Sequence, residues 1–351
     1  DIKDIQALRF QPDEIEYLRG LGIFNGQWLL WLTTMELPDV TVDIDNGHLV
    51  MVYEGPVCAA IFWETMLLAL VNESYFSRFG DFLEEGVKRL DEKIDYLGER
   101  GTLYFSEFGT RRRFSRDWQH YVTHKMKEEI PHLLAGTSNV LLAKELDLQP
   151  VGTMAHQMFM ILVALNTMTY DVDRAIEIGT NEVLEMWASC YCSFPSMMTV
   201  LPDTYTTEKF IEVADLELVR EFTRFRQDSG NPIEIGDLLA RYNYNMLRRL
   251  DQPAKIVFSD SLDVRSMSVL DDHFSEKIPN AGLSPAEISF GWGTNLTNDL
   301  GYEPISIVIK PCAVRWHDEK TWLPCVKVSD DVRKATGNPK AVAEYLAALT
   351  A

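Results

Sequence analysis

Phe225-Arg226-Gln227-Asp228-Ser229-Gly230-Asn231-Pro232 is the stretch whose reading decides the fold. A short strand stops at an acid-Ser-Gly turn, and a helix starts at about residue 233. The same order recurs downstream. Val257-Phe258 stops at Ser259-Asp260, with a helix from about residue 263, and Ser289-Phe290 stops at Gly291-Trp292-Gly293-Thr294-Asn295. Upstream, Thr102-Leu103-Tyr104-Phe105 ends at Glu107-Phe108-Gly109-Thr110-Arg111-Arg112-Arg113, and residues 131–135 lead to Gly136-Thr137-Ser138-Asn139. Val151 leads to Gly152-Thr153-Met154-Ala155-His156, and residues 197–201 lead to Pro202-Asp203-Thr204-Tyr205. Seven strand–turn units, most followed by a helix, imply a parallel α/β sheet. Polar motifs at the end of every strand point to an irregular (β/α) barrel, which carries its site on that face. A doubly wound open sheet is the alternative, but it gathers its ligand motif at one switch point.

Before this run lies a mixed α+β unit over residues 1–101, with no site of its own. It comprises a helix at 12–20, a strand at 48–53 after Asp45-Asn46-Gly47, a long apolar helix at 56–79 and a charged helix at 80–97. The barrel is expected over 102–300. The segment 301–351 holds two more strand candidates, 305–310 and 322–328, which return to the α+β domain.

Composition narrows the class. The 351 residues are 46% hydrophobic and 11% aromatic, the profile of a globular enzyme with a large core. A net charge of −20 argues against nucleic acid as a partner, because that role rewards a basic surface. Five scattered cysteines fit neither a zinc knuckle nor a redox CxxC, so reduced thiols and a cytoplasmic setting are expected. No apolar run is read as reaching the roughly 18 residues of a membrane span. The chain opens Asp1-Ile2-Lys3-Asp4 without Met, so the natural start is expected upstream.

The polar turns suggest chemistry. Arg111, Arg112 and Arg113 stand together after a strand in an otherwise acidic chain, and guanidinium forks suit phosphate oxygens. A solvated surface turn is the plainer alternative. His156 at a strand-to-helix turn can be a base, a ligand, a phosphate acceptor or a structural residue. His120 and His124 lack the acid of a zinc motif and read as helix surface. Asp228, Ser229 and Gly230 offer a carboxylate beside a backbone nest. Ser259 and Asp260 end the next strand, and Gly293-Thr294 resembles a phosphate-cradling turn. Acids suited to ribose hydroxyls beside glycines suited to a phosphate point to a phosphoribosyl substrate.

In this order the motifs resemble those of nicotinate phosphoribosyltransferases. The resemblance runs through Phe108 to Arg113, Gly136 to Asn139, Gly152 to His156, Arg226 to Gly230, Phe258 to Asp260 and Phe290 to Thr297. Glu64-Thr65 and Ile307-Val308-Ile309-Lys310 share it. It implies a type II phosphoribosyltransferase: an irregular α/β barrel with an α+β domain, working as a homodimer with shared sites. The implied reaction joins nicotinate to 5-phosphoribosyl 1-diphosphate, with Mg²⁺ and with ATP as co-substrate, through a phosphorylated histidine. By motif, His156 is that histidine, Thr153 and Arg226 contact nicotinate, and Gly293 and Thr294 hold the ribose phosphate. Asp228 and Asp260 face the ribose, with Ser229, Gly230 and Ser259 in the same turns, while Arg111 to Arg113 offset diphosphate.

Three departures from the family pattern stand out. An early Asp-x-Tyr-Lys segment has no counterpart, Gln157-Met158 replaces Glu-Trp, and Asn231 replaces Asp. The last resembles nicotinamide phosphoribosyltransferases. A nicotinamide enzyme and a catalytically weak nucleotide-binding barrel therefore remain alternative readings.

Overall fold

The computed structural model describes residues 2–78, 83–247, 253–275, 286–317 and 319–350. The N-terminal part is helical, with helices Pro12–Gly20 and Gly26–Leu32 followed by an antiparallel hairpin, β1 (Val40–Asp45) and β2 (His48–Tyr53). Ile15, Leu18, Leu29, Leu32, Met35 and Trp63 form its own apolar cluster.

Val57–Phe76 is the one described stretch long and apolar enough, by length and composition, to cross a membrane, which corrects the expectation that none reaches that length. It is two helices, Val57–Ala60 and Trp63–Phe76, and it carries the ion-paired Glu64. Trp63 and Leu67 are fully buried in the N-terminal cluster. The charged helix is Leu83–Arg100, and its expected opening at 80–82 lies outside the described residues. Leu90, Ile94 and Leu97, at helical spacing, face inward and join the core of the following barrel.

That barrel is built from β3 (Phe105–Glu107), β4 (Leu134–Thr137), β5 (Thr199–Val200), β6 (Arg224–Gln227), β7 (Lys255–Phe258) and β8 (Glu287–Trp292). All the pairings are parallel, in the order β4-β3-β8-β7-β6-β5. Chain neighbours sit side by side and β8 returns to β3. This is the cyclic progression of a barrel rather than the reversal of a doubly wound sheet. Six of the seven expected strands form ladders. The seventh, at Val151, is reduced to a bridge between Thr137 and Pro150, with the Val151 N–H donating to the Thr137 carbonyl at 3.0 Å. Pro150 has no N–H to extend it. Among the described residues no ladder joins this segment to β5, so the barrel is irregular at that seam.

The tail departs further from expectation. Residues 305–310 form no strand. Pro304 and Pro311 flank them, the Ile307 carbonyl accepts from Arg112 Nε at 3.0 Å, and Lys310 pairs with Glu64. Of 322–328, β10 (Leu323–Pro324) pairs with β9 (Ala313–Val314), and Lys327 forms an isolated antiparallel bridge to Thr336.

Alanine at Gly136, at the end of β4, would put its Cβ 2.1 Å from the Gln149 carbonyl oxygen, a backbone atom held in the bridge to Thr137. Gly136→Ala is therefore expected to destabilise the fold by about 3 kcal/mol, the upper part of the overpacking range. Denaturant midpoints of the two proteins check this.

Candidate active site

The C-terminal strand ends converge as a barrel requires. The end of β6 supplies Arg226 and Asp228, and the end of β7 supplies Ser259. The turn after the Pro150 bridge supplies Thr153 and His156, and the end of β5 supplies Asp203 and Thr204. Arg226 is the centre. Its Nε donates to Ser259 Oγ at 2.8 Å, Nη1 to Thr153 Oγ1 at 2.9 Å and Nη2 to Asp228 Oδ1 at 2.7 Å. The guanidinium also lies 5.6 Å from the centre of the Phe108 ring. A guanidinium carries five N–H donors, so two remain beyond these bonds, one on each terminal nitrogen.

His156 opens helix His156–Asn166 and is buried. Its Nδ1 lies 3.1 Å from Thr204 Oγ1, and its Nε2 lies 3.1 Å from Asp228 Oδ2 and 3.0 Å from Lys327 Nζ. Asp203, buried beneath, takes Ser229 Oγ at 2.6 Å and Lys327 Nζ at 3.2 Å on Oδ2. Its Oδ1 has no hydrogen-bond partner among the described residues and stands 3.5 Å from His156 Nε2. Nε2 therefore meets opposite demands, with Lys327 able only to donate and the acids only to accept. The Thr204 hydroxyl both gives and takes, so either imidazole tautomer is satisfied at Nδ1.

Burial pushes His156 below its ordinary value, against the pull of Asp203, so the ring is neutral near pH 7. Burial alone would raise Asp228, but Arg226 and the hydrogen bond from His156 hold it well below the usual carboxylate range. Asp203 is also lowered: burial opposes ionisation, and His156 and Lys327 overcome it. A group whose pKa is depressed by folding contributes stability above its unfolded pKa, and that stability is lost as pH falls. The denaturant midpoint should thus begin to fall below about pH 6.5, where the unfolded histidine protonates. It should fall faster below about pH 4, where the unfolded aspartates do. A midpoint that rises on going from pH 7.5 to 5.5 would contradict this arrangement.

The ligand atoms of His156, Asp203 and Asp228 lie within 4.8 Å of one another. That trio is a cation cradle, but the chain's own Lys327 ammonium already bonds two of its members.

The arginine run divides. Arg111 Nη1 pairs with Glu64 Oε1 at 2.7 Å, and Arg113 pairs with Glu73 at 2.7 Å and with Gln119 Oε1 at 3.1 Å. Arg112 is lowered by burial and by Arg111, while Asp228 and Asp260 partly restore it, so its guanidinium senses both acids. Asp260 accepts from Lys334 at 2.6 Å and from Ser261 at 3.0 Å, both outside the Arg226 cluster. Gly230 takes φ +79°, which lets the turn after β6 fold back under Asp330. A Cβ at Gly293 would sit 3.3 Å from the Phe108 carbonyl, and Thr294 opens the short helix Thr294–Thr297. His120 and His124 stack at 6.3 Å on helix Arg116–Glu129.

Sequence reasoning brought together Arg226, Asp228, Ser259, Thr153, His156 and Ser229. It assigned no role to Asp203, Thr204, Lys327 or Glu107. Asp203 and Thr204 carried the strand-end signal; Lys327, inside an apolar stretch of the tail, carried none. Glu107 is fully buried under the arginine turn, takes Gln119 Nε2 at 3.0 Å along with Gly109 N and Thr137 Oγ1, and is pushed up by burial.

Comparison with known proteins gives one answer. A model described as the nicotinate phosphoribosyltransferase (NAPRTase) family matches residues 103–349, and one for the N-terminal domain of that family matches residues 1–72. The chain is similar to a nicotinate phosphoribosyltransferase of Chromobacterium violaceum, 34% identical over 97% of this chain and 82% of the relative. One from Acinetobacter baylyi is 35% identical over 87% and 74%. Among solved structures, nicotinate phosphoribosyltransferase from Porphyromonas gingivalis aligns with a TM-score of 0.89 at 31% identity, over 100% of this chain and 87% of that one. The Vibrio cholerae structure aligns at 0.82 and 28%, over 98% and 81%.

Proposed function

The chain belongs to the nicotinate phosphoribosyltransferase family, and from that premise we propose how its residues divide the work. The enzyme transfers a phosphoribosyl group from 5-phosphoribosyl 1-diphosphate to nicotinate, releasing diphosphate, in the salvage of nicotinate toward NAD. The observation that carries the assignment of roles is Arg226, fixed by Thr153, Ser259 and Asp228 with one N–H on each terminal nitrogen unspent among the described residues. That pair suits a planar carboxylate, which nicotinate has and nicotinamide lacks.

In the transfer, the pyridine nitrogen forms a bond to the anomeric carbon as the bond to the diphosphate oxygen breaks. Positive charge builds on the ribose ring meanwhile. Asp228, kept ionised by Arg226 and His156, stabilises that charge from a water-poor wall. Ser229, Gly230 and Asp260 complete the ribose side, and Gly293 with Thr294 receives the 5-phosphate. Arg112 and Arg111 face the leaving diphosphate, while Arg113 holds the turn through Glu73 and Gln119.

ATP as co-substrate fits His156. Because Thr204 satisfies Nδ1 in either tautomer, Nε2 can give up the proton it shares with Asp228 and present its lone pair, with Lys327 placed to receive the oxygens of a phosphoryl group. For Mg²⁺ the donor set distinguishes the acids. Asp228 is occupied by Arg226, Ser259 and His156. Asp260, held among the described residues by Lys334 and its neighbour Ser261, is the carboxylate that suits a magnesium ion carried on diphosphate. The ion would neutralise charge on the leaving group.

A homodimer is supported by apolar side chains that β1 and β2 expose, Val42, Ile44, Leu49 and Val52. A domain division near 101 is supported by family models of which one ends at residue 72 and the other begins at residue 103; the second runs on past 300 to residue 349. Five free cysteines suit a reducing, cytoplasmic setting. Asn231 lends no support to nicotinamide: its side chain caps helix Pro232–Asn245 through Ile233 N and Glu234 N, a task Asp performs equally well.

The test incubates the protein with phosphoribosyl diphosphate, Mg²⁺ and either base, with and without ATP. Nicotinate mononucleotide, formed faster with ATP, is expected. Product from nicotinamide alone would overturn the assignment of Arg226.

A further inference from the structure

Glu64 lies outside the barrel, on helix Trp63–Phe76, yet three parts of the chain meet at its carboxylate. Oε1 accepts Arg111 Nη1 at 2.7 Å and Lys310 Nζ at 3.1 Å, while Oε2 accepts the amide of Gln157. Arg111 belongs to the turn after β3, Lys310 to the tail and Gln157 to the helix that His156 opens. Glu64 and Gln157 are buried, and the Lys310 side chain is 14% exposed. Two cations against one carboxylate leave a surplus positive charge, desolvated on the Lys310 side and open to solvent on the Arg111 side, with the Arg112 guanidinium adding to it. A surplus of that sign at the rim of a cleft attracts an anion. Burial works against the charge on Glu64, and Lys310 and Arg111 nonetheless keep its pKa below the ordinary value, so the carboxylate stays charged and holds both partners.

We propose that Glu64 is a positioning residue that sets Arg111 and Lys310 as a pair for the diphosphate group of the substrate. Through Gln157 it also ties that pair to the first turn of the His156 helix. Resting on the function above, this gives ATP a physical route to substrate affinity. A change of charge at His156 shifts the first turn of its helix, Gln157 moves with it, and the hydrogen bond to Glu64 adjusts where the two cations stand. No other hydrogen bond in the described structure joins the His156 helix to the Arg111–Lys310 pair through a single side chain.

The test measures binding of inorganic diphosphate to the full chain by calorimetry, with and without ATP, and steady-state kinetics in parallel. Glu64→Gln keeps the size of the side chain and removes its charge. It is expected to weaken diphosphate binding roughly tenfold or more, the scale of a charge-assisted hydrogen bond. It should raise KM for phosphoribosyl diphosphate to match, with kcat changed less than about threefold, a split that general damage to the fold does not produce. Gln157→Leu is expected to bring the ratio of diphosphate affinities with and without ATP close to one. If Glu64→Gln fails to fold, Lys310→Met takes its place with the same expected loss of affinity. Unchanged diphosphate affinity in the Glu64 or Lys310 variant overturns the proposal, as does an ATP effect that Gln157→Leu leaves intact or that the wild type lacks. Failure of the wild type to form nicotinate mononucleotide would instead count against the function itself, and calorimetry would still judge Glu64.

Discussion

Asp228→Asn is expected to lower kcat by about 10²–10³-fold, the range for loss of one preorganised electrostatic group at a reaction centre. The change is small in volume and large in charge. Asp228 Oδ1 takes Arg226 Nη2 at 2.7 Å and Ser259 Oγ at 2.6 Å, and Oδ2 faces His156 Nε2 at 3.1 Å. An amide keeps one oxygen for Arg226 but turns an NH₂ toward a donor. It also removes the only carboxylate bonded to the guanidinium among the described residues. Two losses follow: charge opposite the developing oxocarbenium, and the anchor that aims Arg226. The first should appear in kcat and the second in KM for nicotinate. A kcat within threefold of wild type would show that Asp228 only orients Arg226.

His156→Ala should abolish the response to ATP. Coupling between sites is ordinarily a 5- to 150-fold effect, and the ratio of rates with and without ATP should fall to one. Radiolabel from the γ-phosphate should no longer appear on the protein. Because the readout is a ratio in one variant, loss of packing at the ring affects both halves and cancels. A labelled variant, or one with its ATP stimulation intact, would move the phosphate acceptor to another group.

Most of the barrel could be read from local pattern, since each unit ends on turn chemistry with its own physical cause. Asn231 before Pro232 caps a helix, Ser115 caps Arg116–Glu129, and Gly230 permits a left-handed turn. These preferences involve residues within a few positions of one another. The weak spots were also local in origin. Val151 follows a proline and never forms a ladder, and 305–310 lies between two prolines with its carbonyl and lysine claimed by distant partners.

The site was legible where a residue closed a strand, as Arg226, Asp228 and Ser259 do, or opened a helix after a polar turn, as His156 does. The arginine run shows the limit. Three adjacent cations look alike in sequence, yet Glu64 takes Arg111, Glu73 takes Arg113 and the backbone of Ile307 takes Arg112. The partners lie 47, 40 and 195 residues away, and no local pattern encodes them.

Alternation of short strands, polar turns and helices was enough by itself to determine a parallel α/β sheet and to favour a barrel with its chemistry on one face, because backbone preferences and turn residues act over a few positions, while closure of β8 on β3 came from the tertiary structure. Which charges meet was decided only by the tertiary structure. Lys327 reaches His156 across 171 positions and Asp203 across 124, and burial turns those contacts into a neutral histidine flanked by ionised acids. Desolvation and Coulomb interaction depend on distance in space, which sequence spacing does not fix.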